Sequence, residues 1–413
     1  MQFIHIADNH LGRRQYNSDE REQDFYNSFN QCIDKIIDIK PDFVVHSGDL
    51  FESPEPPINA IHTAMEGFYR LKQHNIPIYI IHGNHDLPKR DTKGSPFKIL
   101  KSIMGNDLKT FIGKKYHIFR KENKEIFIGG SNFTFRSRIN KLFEDYELIE
   151  NESKKYKNKI LLFHQSIYSY SNLPVYELQL NNFPKGFNYY AGGHIHQRIL
   201  KLVNNDNDDT NYIGSSNYKS NNNYNSNSNY NSNNNDAVNT NTDATNTING
   251  VFAYSGSTEI CSYDEYRDYE KNGKGFYLVD MSRDFDISDV YKIDIKCRDF
   301  IIDKRIKSRI DLENFKEEVN LKLKPVVICS VVKEFFEYLN EFLEKKALYS
   351  RLSIIEDETD DILFNIQNEN IDDLFIEFLK SKNYDASFVY GLYKEAIDGK
   401  LYKYIIDYFE HFK

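Results

Sequence analysis

Five apolar, strand-like segments of this chain each stop abruptly at Asp, Asn or His. They are FIHIAD (3–8), FVVHSGD (43–49), IYIIHGN (78–84), LLFH (161–164) and YYAGGHIH (189–196). Between the first three lie two stretches with helical periodicity. In 19–38 the apolar stripe is Phe25, Phe29, Cys32, Ile33 and Ile36; in 58–73 it is Ile58, Ile61, Met65, Phe68 and Leu71. A β-α-β-α-β order predicts a parallel sheet covered by helices. Later strands are expected at 125–129, 160–164 and 188–193. In open sheets of this kind, ligands gather beyond the carboxyl ends of the strands. The polar stops therefore converge by topology, although they are scattered along the chain.

The converging set is Asp8, His10, Asp49, Asn84, His164, His194 and His196. Alternate strand side chains share a face, so His194 and His196 point the same way while Ile195 turns aside. The donors are oxygens and imidazoles, with no thiolate. Asp49, in the middle of the set, can bridge two ions. Two hard or borderline divalent cations about 4 Å apart suit such donors, and Mn²⁺ or Fe²⁺ suits them better than a thiolate-loving metal. His5, His46 and His82 sit earlier in the same strands and are expected to be structural. His62, His74, His117 and His411 read as ordinary helix or surface residues.

Composition bounds the rest. The four cysteines, Cys32, Cys261, Cys297 and Cys329, are scattered and form no C-x-x-C. That argues against a structural zinc site or a disulfide framework and fits a cytoplasmic protein. No apolar run reaches the length of a membrane span, and MQFIHIADNH lacks a signal-peptide layout. The net charge of −9 is uneven: residues 204–249 hold five Asp against one Lys, and residues 350–413 hold 14 acids against 7 bases. The remainder is slightly positive, so local basic clusters must carry any phosphate contact. Residues 203–249, rich in Asn and Ser, read as a disordered insertion in a hairpin formed by RILKLV and GVFAYSG. Alternating patterns over 290–355 predict a small separate α/β module, beginning with the strand YKIDIKC. Beyond Thr359 the chain reads as helical and acidic. Leu401, Tyr404, Ile405, Tyr408, Phe409 and Phe412 form a stripe near its end.

The order D-x-H, GD, GNHD, H and GHxH resembles the calcineurin-like metallophosphoesterase superfamily. Within it, IADNHLG, SGDLF, GNHD, YYAGGHIH and YSGSTE are similar to the SbcD-type nucleases of double-strand-break repair, also called the meiotic-recombination-eleven family. The resemblance implies a four-layer α/β sandwich of two mixed sheets flanked by helices over residues 1–285. A capping α/β domain at 286–358 and a helical ATPase-binding tail at 359–413 complete the implied plan. It also implies two Mn²⁺ per chain, one held by Asp8, His10, Asp49 and His196, the other by Asp49, Asn84, His164 and His194. His85 matches the family's catalytic histidine, which is not a ligand. The implied activity is 3′-to-5′ exonuclease and single-strand endonuclease action on DNA. Implied partners are a separate coiled-coil ABC-type ATPase and a second copy of the chain, the latter through helices near 58–74 and 95–104. The chain itself has no G-x-x-x-x-G-K-[ST].

Where some relatives carry a second histidine after the bridging aspartate, this chain has Glu52, which is expected to bond and orient His85. Arg13, Arg14, Lys89, Arg90 and Arg198 follow the ligand motifs on loops and are expected to meet phosphates, with Ser255 and Ser257 of YSGST at the same rim. Two other readings share the scaffold: a phosphatase or small phosphodiesterase, and a repair scaffold with little catalysis. LFES after the GD motif, where protein phosphatases carry aspartate-arginine-glycine, argues against the first. The full ligand set argues against the second.

Overall fold

The structure is a computed structural model. It describes residues 1–87, 95–167, 177–203, 250–282 and 289–355, and residues 211–212 by backbone alone. In chain order the strands are β1 (Gln2–Ile6), β2 (Phe43–His46), β3 (Ile78–Ile80), β4 (Leu108–Thr110), β5 (Tyr116–Lys121), β6 (Lys124–Gly130), β7 (Asn158–Phe163) and β8 (Tyr189–Gly192). There follow β9 (Ile199–Val203), β10 (Asn211–Tyr212), β11 (Gly250–Tyr254), β12 (Lys274–Asp280), β13 (Val290–Ile295), β14 (Phe300–Ile306), β15 (Val326–Val331) and β16 (Tyr349–Ile354). The α-helices are α1 (Asp19–Ile39), α2 (Ile58–Gln73), α3 (Pro96–Met104), α4 (Ile139–Ser153), α5 (Tyr266–Asn272), α6 (Arg309–Asn320) and α7 (Lys333–Lys346).

Two large mixed sheets stack face to face. The first runs β13-β12-β1-β2-β3-β4 and the second β10-β9-β11-β8-β7-β6-β5. Strand alternation builds the layers. Phe3, Phe43, Val45 and Tyr79 of the first sheet meet Ile126, Ile128, Ile160, Leu162 and Tyr189 of the second in one buried core. Their neighbours Ile4, Val44 and Ile78 face the other way, onto Phe29, Ile33, Ala64 and Phe68 of α1 and α2. On the far side, Phe127, Leu161 and Phe163 cover Leu142, Tyr146 and Ile149 of α4. This is the helix-flanked two-sheet architecture that the family resemblance implies.

Helix α1 starts at a Ser18 cap, whose hydroxyl accepts from Arg21 N–H, with Asp19, Glu20 and Glu22 in the first turn. Its predicted stripe is buried throughout. In α2 the stripe is shifted: Ala60, Ala64, Gly67, Phe68 and Leu71 are buried, whereas Ile58, expected on the core face, is 83% exposed. At Gly67 the helices approach closely: a Cβ there would lie 2.5 Å from the Phe29 ring of α1.

One further expectation meets a different arrangement. Val290–Ile295, read as the first strand of the small module, pairs antiparallel with β12 and extends the first sheet. The module's own sheet is β14-β15-β16, all parallel, with a separate core of Leu312, Phe315, Val327, Val331, Leu339 and Leu343. Ile293 and Ile295 join the core under α1, which selects the larger sheet for this strand. The RILKLV and GVFAYSG segments do pair antiparallel, as β9 with β11. Within the intervening tract, the backbone of Asn211–Tyr212 adds to β9 on its other side. The remainder of that tract and the helical segment expected at 359–413 lie outside the described residues.

The module is joined to the first sheet by paired side chains. Arg298 forms a two-nitrogen pair with Asp24 of α1, and Asp24 also accepts from the buried Arg21. Tyr16 stacks on Tyr349 at 3.9 Å, and Tyr266 on Phe300 at 5.8 Å.

Candidate metal centre

The carboxyl ends of β1, β2, β3, β7 and β8 open on one side of the two-sheet core, and all seven predicted ligands lie there. Ligand atoms of Asp8, His10 and Asp49 fall within 4.8 Å of one another, and so do those of Asp49, His164 and His194. Asp49 is common to the two triads. His196 joins the first, its Nε2 3.1 Å from His10 Nε2. Asn84 joins the second, with Oδ1 3.0 Å from His164 Nε2 and 2.9 Å from His194 Nδ1.

Hydrogen bonds behind the ligands aim their lone pairs. His10 Nδ1 lies 2.8 Å from Glu52 Oε2, and His196 Nδ1 lies 2.8 Å from Glu265 Oε1. A carboxylate only accepts, so each imidazole carries its proton on Nδ1. The two Nε2 lone pairs then face each other, which is repulsive until a cation sits between them. His164 Nδ1 likewise donates to Ser47 O at 2.6 Å, leaving Nε2 for Asp49 and Asn84. The donor set thus fits two bound cations.

Electrostatics agree. Burial opposes the charge of Asp49, but His164 and its hydrogen bond outweigh it and hold this carboxyl well below the usual carboxylate range. Burial also disfavours charge on His164, yet Asp49 raises its pKa to about 9. A proton therefore sits on His164 beside Asp49, where a cation would replace it. Asp8, fully buried, is raised to about 6, chiefly by burial.

The backbone is strained at the ligands. Asp8, His10, Asp49 and His194 have φ of 54°, 48°, 52° and 85°, in the left-handed region that non-glycine residues avoid. Each costs on the order of 1 kcal/mol, and such residues cluster at functional sites. Two glycines let the strand ends approach. A Cβ at Gly83 would lie 2.1 Å from Asp49 Oδ1, and one at Gly193 would lie 2.2 Å from Ser47 O.

Other predicted site residues are placed differently. The side chain of Glu52 does not reach His85 as expected: Oε2 goes to His10 and Oε1 to Arg13, at 2.8 Å each. It is the backbone carbonyl of Glu52 that accepts from His85 Nδ1, at 2.9 Å. His10 is buried, and among the described residues Glu52 is the acceptor for its Nδ1–H. Arg198, expected at the phosphate rim, is buried and bonded to Asp294, Ile293 O and Asn272 O. Ser255 and Ser257 are also fully buried; Ser257 Oγ donates to Glu259 O and accepts from Lys274. These three therefore brace the fold. Arg13 is engaged with Glu52 and Cys261 O, and Arg14 is exposed beside Asp19. Lys89 and Arg90 lie outside the described residues.

Two acids escaped the sequence reading. Glu265 reaches His196 from 69 residues away, and the buried Lys274 balances its charge at 2.6 Å. Asp86 accepts from Gly83, Leu50 and Phe51 N–H and so ties the loops after β2 and β3 together. Its place directly after Asn84-His85 was the available signal for Asp86. Glu265 had none.

A two-sheet sandwich whose strand ends hold paired triads sharing one aspartate defines a metallophosphoesterase, and the family model for calcineurin-like phosphoesterases matches residues 1–198. Over 99% of both chains, the sequence is 48% identical to the DNA double-strand break repair protein Mre11 of Methanococcus maripaludis. It is 39% identical to the Mre11 protein of Methanocaldococcus jannaschii over 98% of both, and 28% identical to that of Sulfolobus acidocaldarius over 93% of this chain and 91% of the other. The chain belongs to the Mre11 family of DNA double-strand break repair proteins.

Proposed function

We propose that this chain is a DNA double-strand-break repair nuclease that hydrolyses phosphodiesters at a centre of two Mn²⁺ ions. The observation that carries the reading is Asp49, shared by two ligand triads on a chain of this family. Asp8, His10, Asp49 and His196 would hold one ion; Asp49, Asn84, His164 and His194 would hold the other. The all-oxygen-and-nitrogen donor set suits manganese. When bound, the two cations offset phosphate charge and lower the pKa of a water at the site.

The chain's own groups do the rest. Glu52 and Glu265 hold His10 and His196 in a fixed tautomer. His85 N–H donates to Asp49 Oδ1 at 2.8 Å, which fixes the bridging carboxylate. The His85 ring, with Nδ1–H given to Glu52 O, presents Nε2 from a position 35% exposed and 4.9 Å from the His10 ring. With the ring protonated at both nitrogens, Nε2–H can hand its proton to the leaving deoxyribose oxygen and return to a lone pair.

The finer assignments follow the family plan. The chain acts as a 3′-to-5′ exonuclease on duplex ends and as an endonuclease on single strands. Residues 1–285, with β13 completing their first sheet, form the nuclease domain, the module built on β14, β15 and β16 caps the DNA, and the segment from 359 onward docks a coiled-coil ABC-type ATPase. A second copy pairs through the helices at 58–74 and 95–104, where Ile58, Tyr69 and Ile99 are exposed. Arg14, Lys89 and Arg90 meet phosphates. Among the described residues no helix is long and apolar enough to cross a membrane.

The purified full chain soaked in Mn²⁺ should show two anomalous scatterers beside Asp49 and should degrade linear duplex DNA. Asp49→Ala should lose both ions and all cleavage. A single scatterer, or preference for a phosphopeptide over DNA, would overturn the reading.

A further inference from the structure

One loop at the edge of the centre takes no part in the chemistry above. It follows β6 and reads SNFTFRSR, residues 131–138. Its first half is pinned. Phe133 N–H donates to His82 O at 2.8 Å, and His82 N–H donates to Asn132 Oδ1 at 2.8 Å. Thr134 N–H donates to Gln165 Oε1 at 2.9 Å, and Gln165 Nε2 donates back to Thr134 O at 3.1 Å. Phe133, almost buried, lies 5.7 Å from the His194 ring and 6.2 Å from the His164 ring. Phe135 packs on Phe133 at 5.0 Å and 87° but is itself 58% exposed.

An exposed single hydrophobe is common and by itself means little. Here it is held on a fixed loop, two ring contacts from the second ligand triad. Arg136 and Arg138 follow it, both exposed and neither in an ion pair among the described residues. An apolar ring flanked by two unneutralised guanidinium groups is complementary to a stretch of single-stranded nucleic acid, which alternates π-faces with phosphates.

We propose that Phe135 is a stacking platform for an unpaired nucleobase of the strand being cut, with Arg136 and Arg138 holding the adjoining phosphates. The inference rests on the nuclease reading and specifies how its substrate strand is seated. Phenylalanine has no hydrogen-bonding atom, so the platform reads no sequence. A paired base keeps its faces stacked within the duplex, so the platform favours single strands, hairpin loops and frayed ends.

The test uses the full chain. With Mn²⁺, Phe135→Ala should lower kcat/KM for a short oligothymidylate about tenfold more than for bis(p-nitrophenyl) phosphate, which lacks a base. Phe135→Trp should restore the oligonucleotide rate. In EDTA, where nothing is cut, the tryptophan emission of Phe135→Trp should be quenched by the oligothymidylate, and Arg136→Gln with Arg138→Gln should weaken that binding and its salt dependence. Equal losses on both substrates, or no quenching, would overturn the platform. Quenching by a chain that cleaves neither substrate would leave the platform standing and remove the nuclease reading instead.

Discussion

Glu52 Oε2 lies 2.8 Å from His10 Nδ1 but 3.9 Å from His85 Nδ1, so this carboxylate serves a metal-facing imidazole before the one that faces substrate. Its pKa shift agrees in direction: burial opposes ionisation, yet the hydrogen bond and charge of His10 hold the Glu52 carboxyl below its usual value. Second-layer carboxylates of this kind are typically worth 10–100-fold in metal affinity. Glu52→Ala should therefore weaken Mn²⁺ binding by about that factor in calorimetric titration. A variant that binds Mn²⁺ as tightly as the parent, yet cleaves poorly, would return Glu52 to His85.

His85 should behave in the opposite way. It contributes no atom to either triad through Asp49, and its backbone N–H, which does touch Asp49, survives substitution. His85→Ser should keep both ions and lose roughly 10²–10⁴-fold in turnover, the range of general acid–base catalysis. Metal content and single-turnover rate, measured on the same preparation, decide the point. Loss of metal in step with rate would make His85 a ligand support and nothing more.

Asp8 illustrates a cost carried for function. It is fully buried, strained at φ 54°, and raised to about 6 mainly by burial. At neutral pH without a cation, its ionised form therefore opposes folding. Asp8→Asn keeps an oxygen for the His194 N–H that donates to Asp8 at 3.0 Å. The variant should abolish cleavage yet raise the stability of the metal-free protein by on the order of 1–2 kcal/mol. Urea unfolding in EDTA measures this; a lower midpoint for the variant would contradict it.

The ligands were legible because each follows an apolar run at a strand end, and topology alone collects such ends on one side of a sheet. The arrangement behind them was not. Glu265 meets His196, and Arg198 meets Asp294 at a separation of 96 residues, through contacts that only the folded sheets create. Arg198 directly follows GHIH and so looked like a rim cation, although the antiparallel β12–β13 pair buries it. Val290–Ile295 has the same alternation whether it begins a small module or ends a large sheet, and its pairing partner decides. The left-handed backbone at Asp8, His10, Asp49 and His194 was not legible either: Asp and His tolerate it better than most residues, but metal ligation calls for the same two residue types.

Three buried histidines that are not ligands predict an acid limit to stability. Burial lowers His5 and His46 from 6.5 to about 3 and His82 to about 4, so all three are neutral in the folded chain well below neutrality. The unfolded chain takes up these protons near pH 6.5, and the folded chain does not. Their stabilising contribution is thus complete above pH 6.5 and is lost as pH falls toward 3–4. Each histidine makes the loss steeper by about 1.4 kcal/mol per pH unit in that window. Urea midpoints in EDTA should fall clearly between pH 7 and pH 5. His5 bonds Tyr189 Oη and Gly192 O through its ring, and His5→Gln can keep one such bond without titrating. That variant should start from lower stability at pH 7 but lose less of it on acidification. An unchanged pH slope in His5→Gln would show that its imidazole is solvated or already charged in the folded protein.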